Sequence, residues 1–336
     1  MHRLPCLFKH PGRALPLLMA LVLCCARAQA CSVTTPNASA NIGSFSSLSV
    51  NATPRSISAQ PSAGLTCPGS LLGLIVTGDR VDATVTSANA SRLVNAASGD
   101  AIAYQFFADP NFQSQHRIVP GTPYNYYNAY ILGLLGLLGG QAAAMPLYVR
   151  TVPAAANLAA GTYRDTLTIA WNWSICTGIG IGGLCLGRRT GTGTSSISVT
   201  LVVTPDCRIN APNLNFGSSP LVSGFSPVTQ TITITCTKGS SYSVGLGNGQ
   251  HAEGATRRMA AGGAFLNYQI YKGATGTERW GTTGSQRRSA AQADTNPGSY
   301  TGTTAQGFIY RAEILPNQPT PPPGTYTDNI VVDVAF

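Results

Sequence analysis

The chain has 336 residues, of which 43% are hydrophobic but only 10% charged, with 37 glycines and a formal net charge of +9. Soluble domains carry roughly 25% charged residues. The pattern therefore excludes a disordered regulator, a long charged helix and a nucleic-acid binder with concentrated Lys and Arg, and leaves a Thr/Ser/Gly-rich β protein of about two domains.

Residues 1–30 read as a secretory leader. Arg3, Lys9 and Arg13 form the basic start, an apolar stretch runs from Ala14 to Ala26, and Ala28-Gln29-Ala30 gives a small-x-small cleavage pattern before Cys31. The stretch is short of the ~20 residues that span a bilayer. Without the leader 17 basic and 12 acidic residues remain, a net +5, together with six cysteines: Cys31, Cys67, Cys176, Cys185, Cys207 and Cys236. An even number in an exported chain points to disulfides. Six cysteines allow fifteen pairings; chain order suggests Cys31–Cys67, Cys176–Cys185 and Cys207–Cys236. Zinc is disfavoured, because no C-x-x-C occurs and only His116 and His251 accompany the cysteines.

After Cys67 comes the first apolar, Gly-containing loop, Ser70 to Ile75, with Leu71, Leu72, Leu74 and Ile75. Val81, Ala83 and Val85 then alternate with Asp82 and Thr84, as in a strand with one buried face. Tyr104-Gln105-Phe106-Phe107 follows. A second apolar loop carries Ile131, Leu132, Leu134, Leu135, Leu137 and Leu138. Its glycines and Pro146 argue against a membrane span. Gly161-Thr162-Tyr163-Arg164-Asp165 opens a strand with Leu167, Ile169, Trp171 and Trp173 on one face. A third loop, with Ile179, Ile181, Leu184 and Leu186, starts between Cys176 and Cys185. Its G-x-G-x-x-G spacing precedes no helix pattern, so it is not a dinucleotide fingerprint. A strand from Thr194 to Thr204 completes the first half. At ~3.3 Å per residue its start lies roughly 30 Å from the linker, at the remote pole.

The second half repeats the first. Cys207 opens it, Thr231-Ile232-Thr233-Ile234-Thr235-Cys236 alternates, and Tyr268-Gln269-Ile270-Tyr271 matches Tyr104-Gln105-Phe106-Phe107. Gly324-Thr325-Tyr326-Thr327-Asp328 and the alternating Ile330, Val332, Val334 and Phe336 match the later motif. The spacing from Tyr to Gly is 57 in one copy and 56 in the other. No segment shows a convincing helical period. The expected fold is all-β, with two immunoglobulin-like β-sandwich domains, 31–204 and 205–336. The second copy has no counterpart of the Thr194–Thr204 strand. It is expected to be incomplete, with Ile330, Val332, Val334 and Phe336 along the edge of a groove that a donor strand fills.

Cys207-Arg208-Ile209, Asn215-Phe216-Gly217, the 231–236 strand, Leu266 to Lys272 with Trp280, and the closing Gly-Thr-Tyr-Thr-Asp strand are similar to the spore coat protein U domain family. The likeness covers 205–336 closely and the first copy more weakly, through Cys31, Cys67, Tyr104-Gln105 and Gly161-Thr162-Tyr163. The family supplies pilins of archaic chaperone–usher pili, and a weakly matching first domain before a standard one resembles their two-domain tip adhesin. The resemblance implies as partners a periplasmic chaperone and outer-membrane usher during assembly, and an adjacent subunit that donates a strand. Cys31 directly after the cleavage site leaves no donor extension, which fits the tip.

The three loops, absent from the second copy, are expected to bind a hydrophobic abiotic or host surface and to support biofilm formation. A structural pilus or coat subunit and a lectin-like glycan-binding module are the alternatives. No enzyme, no cofactor and no metal are expected, because the histidines and carboxylates form no catalytic spacing. Arg188-Arg189, Arg257-Arg258 and Arg287-Arg288 read as solvated loop positions. Export through the periplasm to the cell surface, at a pilus tip, completes the expectation.

Overall fold

The computed structural model describes residues 31–34, 37–57, 63–67, 78–127, 143–154, 157–181 and 184–336, with backbone alone for 143 and 177–181. In chain order the first half contains β1 (Ser32–Val33), β2 (Asn37–Ser46), helix α1 (Ser47–Ala52), β3 (Leu65–Cys67), β4 (Arg80–Ser87), β5 (Arg92–Val94) and β6 (Ala101–Phe107). It continues with β7 (Arg117–Ile118), β8 (Tyr124–Asn125), β9 (Ala143–Ala144), β10 (Tyr148–Thr151), β11 (Gly161–Ile181) and β12 (Leu184–Thr204). The second half contains β13 (Cys207–Asn210), β14 (Val228–Cys236), β15 (Ser243–Leu246), β16 (Arg257–Ala261), β17 (Ala264–Lys272), β18 (Arg288–Ser289), β19 (Gln306–Ile314) and β20 (Val332–Ala335).

The alternating side chains produce two separate hydrophobic cores. One gathers residues between Cys31 and Val203, the other residues between Cys207 and Val334. The chain is thus almost all-β and two-domain. In the first domain a nine-stranded sheet, whose main path runs β10-β6-β5-β11-β12-β2, faces a small sheet of order β1-β3-β9. In the second, a five-stranded sheet of order β13-β14-β19-β17-β16 faces a three-stranded one of order β18-β15-β20.

The repeat seen in the sequence becomes two identical hydrogen bonds per domain. Tyr163 donates its hydroxyl to the Ala159 carbonyl at 2.7 Å, and Tyr326 donates to Pro322 at 2.7 Å. Both are tyrosine corners, which pin the entry to the strand that follows. Tyr104 donates to the Asp165 carboxylate at 2.6 Å, and Tyr268 donates to Asp328 at 2.7 Å. The matched motifs are thus the two ends of one bond, 61 residues apart in the first copy and 60 in the second. Burial pushes the Tyr104 phenol far up, and its bond to Asp165 and that carboxylate's charge push in the same direction. It therefore stays a donor at physiological pH.

Three features differ from the sequence expectation. The third loop is largely strand: β11 runs on to Ile181 and β12 begins at Leu184, with a register shift between Cys176 and Ile179. Glycine tolerates a ladder, and the antiparallel pairing simply continues past the core. A short helix, α1, follows β2, where the Ser46 hydroxyl accepts from the Ser49 amide at 3.3 Å. At six residues it is too short to show a period. Of the three arginine pairs only Arg189 is exposed, and two members are fully inside. Arg257 is fully buried, donating to the Leu246, Gly247 and Trp280 carbonyls and to Gln269, and Arg288 is buried against Asp294 and the Ile309 carbonyl. Distant backbone acceptors, invisible in the local sequence, take them inside.

The domains meet through polar contacts. Lys238 reaches Asp100 at 2.5 Å, Asn157 donates to the Cys236 and Gly302 carbonyls at 3.1 and 3.3 Å, and the Ser47 and Thr237 hydroxyls lie 2.6 Å apart. Ala159 and Lys238 also form a parallel backbone bridge.

Candidate functional site

Two regions carry the candidate site residues. The first is the end of the first domain far from the second. Leu71, Leu72, Leu74 and Ile75 lie outside the described residues, as do Ile131, Leu132, Leu134, Leu135, Leu137 and Leu138; their stems do not. Cys67, before the first loop, pairs with Ala143, which follows the second. Arg80, after the first loop, pairs with Ser174 on β11, and the Tyr126 amide donates to Val81 at 2.8 Å. The first stem is therefore hydrogen-bonded to both of the others.

Asp79 sits among these stems. Its buried carboxylate accepts from the Cys176 amide at 3.0 Å and pairs with Arg188 at 3.1 Å. Arg188 also donates to the Gly78 carbonyl at 3.0 Å and the Ser174 hydroxyl at 3.1 Å, tying the first stem to the third. Burial and the nearby Asp79 carboxylate push the Tyr127 phenol, beside the second loop, up to about 12. Neither Asp79 nor its link to Arg188 was legible in the sequence, since the partners are 109 positions apart and only a lone Asp before an alternating strand hints at it.

The third loop forms a finger. Ile179 and Ile181 pair with Leu186 and Leu184 in the backbone ladder. Leu184 and Leu186 are 78% and 76% exposed, which leaves both leucines in water. Cys176 and Cys185 are joined by a disulfide, as are Cys31 with Cys67 and Cys207 with Cys236.

The second region is a groove of about 410 Å³ in the second domain, walled by Leu214, Phe216, Met259, Tyr326, Ile330 and Val332. The first domain supplies the control. Leu167, Ile169, Trp171 and Trp173 are all buried, because β12 pairs with β11 on one side and runs parallel to β2 on the other. Their counterparts Ile330, Val332 and Val334 are only half-buried, and Phe336 is 60% exposed. Among the described residues β20 pairs with β15 alone. In the first domain β11 pairs with both β4 and β12, whereas the groove beside β20 leaves Ile330 and Val332 in its open hydrophobic wall.

Among the described residues no cluster of three or more His, Cys, Asp or Glu could hold a metal, and no helix is long and apolar enough to cross a membrane.

Two domains built almost wholly of β-strands, one closed by its own strand and one with an open edge, define an immunoglobulin-like protein. The chain belongs to the Spore Coat Protein U domain family, whose model matches residues 18–170 and 193–333. Its structure is similar to a chain in the CsuC–CsuE chaperone–tip adhesion subunit pre-assembly complex of the archaic chaperone–usher Csu pili of Acinetobacter baumannii. That likeness has 26% identity and a TM-score of 0.62, and spans 91% of this chain and 100% of that one. The CupB6 tip adhesin of Pseudomonas aeruginosa aligns over 84% of this chain and 86% of its own, at 12% identity and a TM-score of 0.29, too distant to carry an argument. No curated protein matches the chain.

Proposed function

We propose that this protein is the tip adhesin of an archaic chaperone–usher pilus, with residues 31–204 as the attachment domain and residues 205–336 as the pilin domain. It is exported through the periplasm to the cell surface. A periplasmic chaperone and then an adjacent subunit fill the groove beside Ile330, Val332, Val334 and Phe336, and the usher handles assembly. The three apolar loops attach to hydrophobic abiotic or host surfaces and so support biofilm formation. It has no enzymatic role.

The observation that carries this reading is the contrast between the copies. The first domain is closed by β12 and bears an apolar finger at its far end, whereas in the second an open groove lies beside β20. An apolar patch exposed on such a protein marks an interaction site. The similarity to a chain of a chaperone–tip adhesion subunit complex supports the same role.

The test is polar substitution of Leu134, Leu135 and Ile181, with pilus assembly and retention on polystyrene measured together. Lost retention with intact assembly is expected. Failed assembly with retained binding would instead make the chain a structural subunit, and competition by one particular sugar would make it a lectin.

A further inference from the structure

The charges of the first domain are distributed one-sidedly. Residues 31–204 hold eight arginines, five aspartates and no lysine or glutamate. No aspartate is exposed: Asp79, Asp109 and Asp165 are buried, while Asp82 and Asp100 are half-buried against Arg80 and Lys238. The exposed charges are Arg80, Arg92, Arg117, Arg164 and Arg189, all positive.

Three arginines collect at the base of the finger. In the ladder Arg80 faces Ser174, Arg189 faces Ile175, and Arg188 faces Cys176, three successive positions on β11. Beyond them Leu186 and Leu184 share one face of β12 with Arg188, because alternate residues of a strand point the same way. At ~3.3 Å per residue, Arg188 stands about 7 Å behind Leu186 and about 13 Å behind Leu184. An apolar element lying in a bilayer interface sits roughly 5–10 Å into the headgroup–acyl boundary. Leucines at that depth bring the arginine collar level with the phosphates, which a guanidinium binds through paired N–H donors.

We infer that the finger end of the first domain docks on a lipid surface carrying anionic phosphate headgroups, with Leu184 and Leu186 among the acyl chains and the exposed Arg80 and Arg189 of the collar on the phosphates, Arg188 being held by Asp79. This rests on the reading of the first domain as the attachment domain and adds a charge requirement to it. A soluble polyanion would use the collar but leave the leucines in water, so the lipid is the better match.

The experiment measures binding of the full chain to vesicles of phosphatidylcholine alone and with about a third phosphatidylglycerol, where each engaged arginine is worth roughly fivefold in affinity. The mixed vesicles should bind about five- to twenty-five-fold tighter at low salt, and the gain should vanish at high salt through screening. Arg80→Gln with Arg189→Gln should remove that gain, whereas Arg164→Gln, which faces Val94 and Thr200 away from the finger, should keep it. Leu184→Ser with Leu186→Ser should abolish binding to both vesicles. Unchanged circular dichroism and melting temperature establish that each variant is folded.

Equal binding to both vesicles, or a gain that survives the double arginine change, overturns the proposal. So does competition by heparin combined with undiminished binding of the leucine variant, which would make the partner a polyanion. Binding to polystyrene separates the two readings. A chain that binds polystyrene but ignores phosphatidylglycerol sinks the lipid inference alone; one that binds neither sinks the attachment reading as well.

Discussion

The two copies allow one substitution to be made in closed and open surroundings. Leu167 and Ile330 occupy the same place in the repeat, but Leu167 is fully buried beneath β12, opposite Ile197, and Ile330 lines the open groove. Truncating Leu167 to Ala removes buried methyl groups and leaves a closed cavity, at a cost of about 2–5 kcal/mol. Ile330→Ala removes a side chain already partly in water and opens no sealed void, so its cost should be about 1 kcal/mol. When an extended peptide with alternating large apolar residues fills the groove, the Ile330→Ala cost should rise to about 3 kcal/mol. The peptide itself should bind roughly thirtyfold more weakly to the variant, the equivalent of that difference of about 2 kcal/mol. Urea unfolding followed by tryptophan fluorescence separates the domains, because Trp171 and Trp173 lie in the first core and Trp280 in the second. A Trp280→Phe background isolates the first domain. Equal costs at Leu167 and Ile330 without peptide, or a cost at Ile330 that peptide leaves unchanged, would refute the open-groove argument.

Arg257→Met should destabilise the second domain by about 3 kcal/mol, since three buried carbonyls lose their donor, and a shifted urea midpoint for Trp280 emission reads it. Removing the Cys176–Cys185 bridge by a double Ala change should loosen the finger by roughly 2.5–3 kcal/mol, the value for closing a loop of about ten residues. The first core should still melt as before while hydrogen exchange at Leu184 to Arg188 quickens; unaltered exchange counts against the bridge as a stiffener. The domain contact should weaken in acid. Burial raises the Asp100 carboxyl, but the hydrogen bonds from Lys238, Ala159 and Ser98 and the Lys238 charge outweigh it and hold the group below its ordinary 3.8. A depressed carboxylate stabilises fully above the unfolded value and loses that contribution as pH falls through the folded one. Energy transfer between dyes on the two domains should therefore change below pH 3.8, and Asp100→Asn should lack that acid step.

What the sequence revealed depended on range. Alternation of Leu167 to Trp173 and of Ile330 to Phe336 is a local signal, and so is the matched Tyr…Asp spacing, because one bond recurs in both copies. The disulfides followed chain order for the same reason: two join the opening of a unit to a nearby strand, and the third joins the neighbouring strands β11 and β12. The parallel pairing of β12 with β2 joins residues about as far apart as a whole domain allows, and nothing local encodes its register. Arg257 and Arg288 were misplaced because a cation looks solvated until the carbonyls that receive it are known. The finger was read as a loop because glycine weakens strand preference, although the ladder needs only backbone. Glycine there also makes room: at Gly191 a Cβ would stand 2.5 Å from the Trp173 indole.

β12 has a mechanical consequence. This single extended segment carries Leu184 at one end and runs at the other through Thr204 into the linker and β13. At ~3.3 Å per residue it is a strut of roughly 70 Å. A pull between a held fingertip and the second domain travels along that covalent backbone instead of through the core. Its ladders to β11 and β2 lie alongside the line of force, so they are sheared together rather than opened one bond at a time. An anchor under drag would thus resist as a row of bonds, and the polar seam between the domains, outside that row, would be the first place to give.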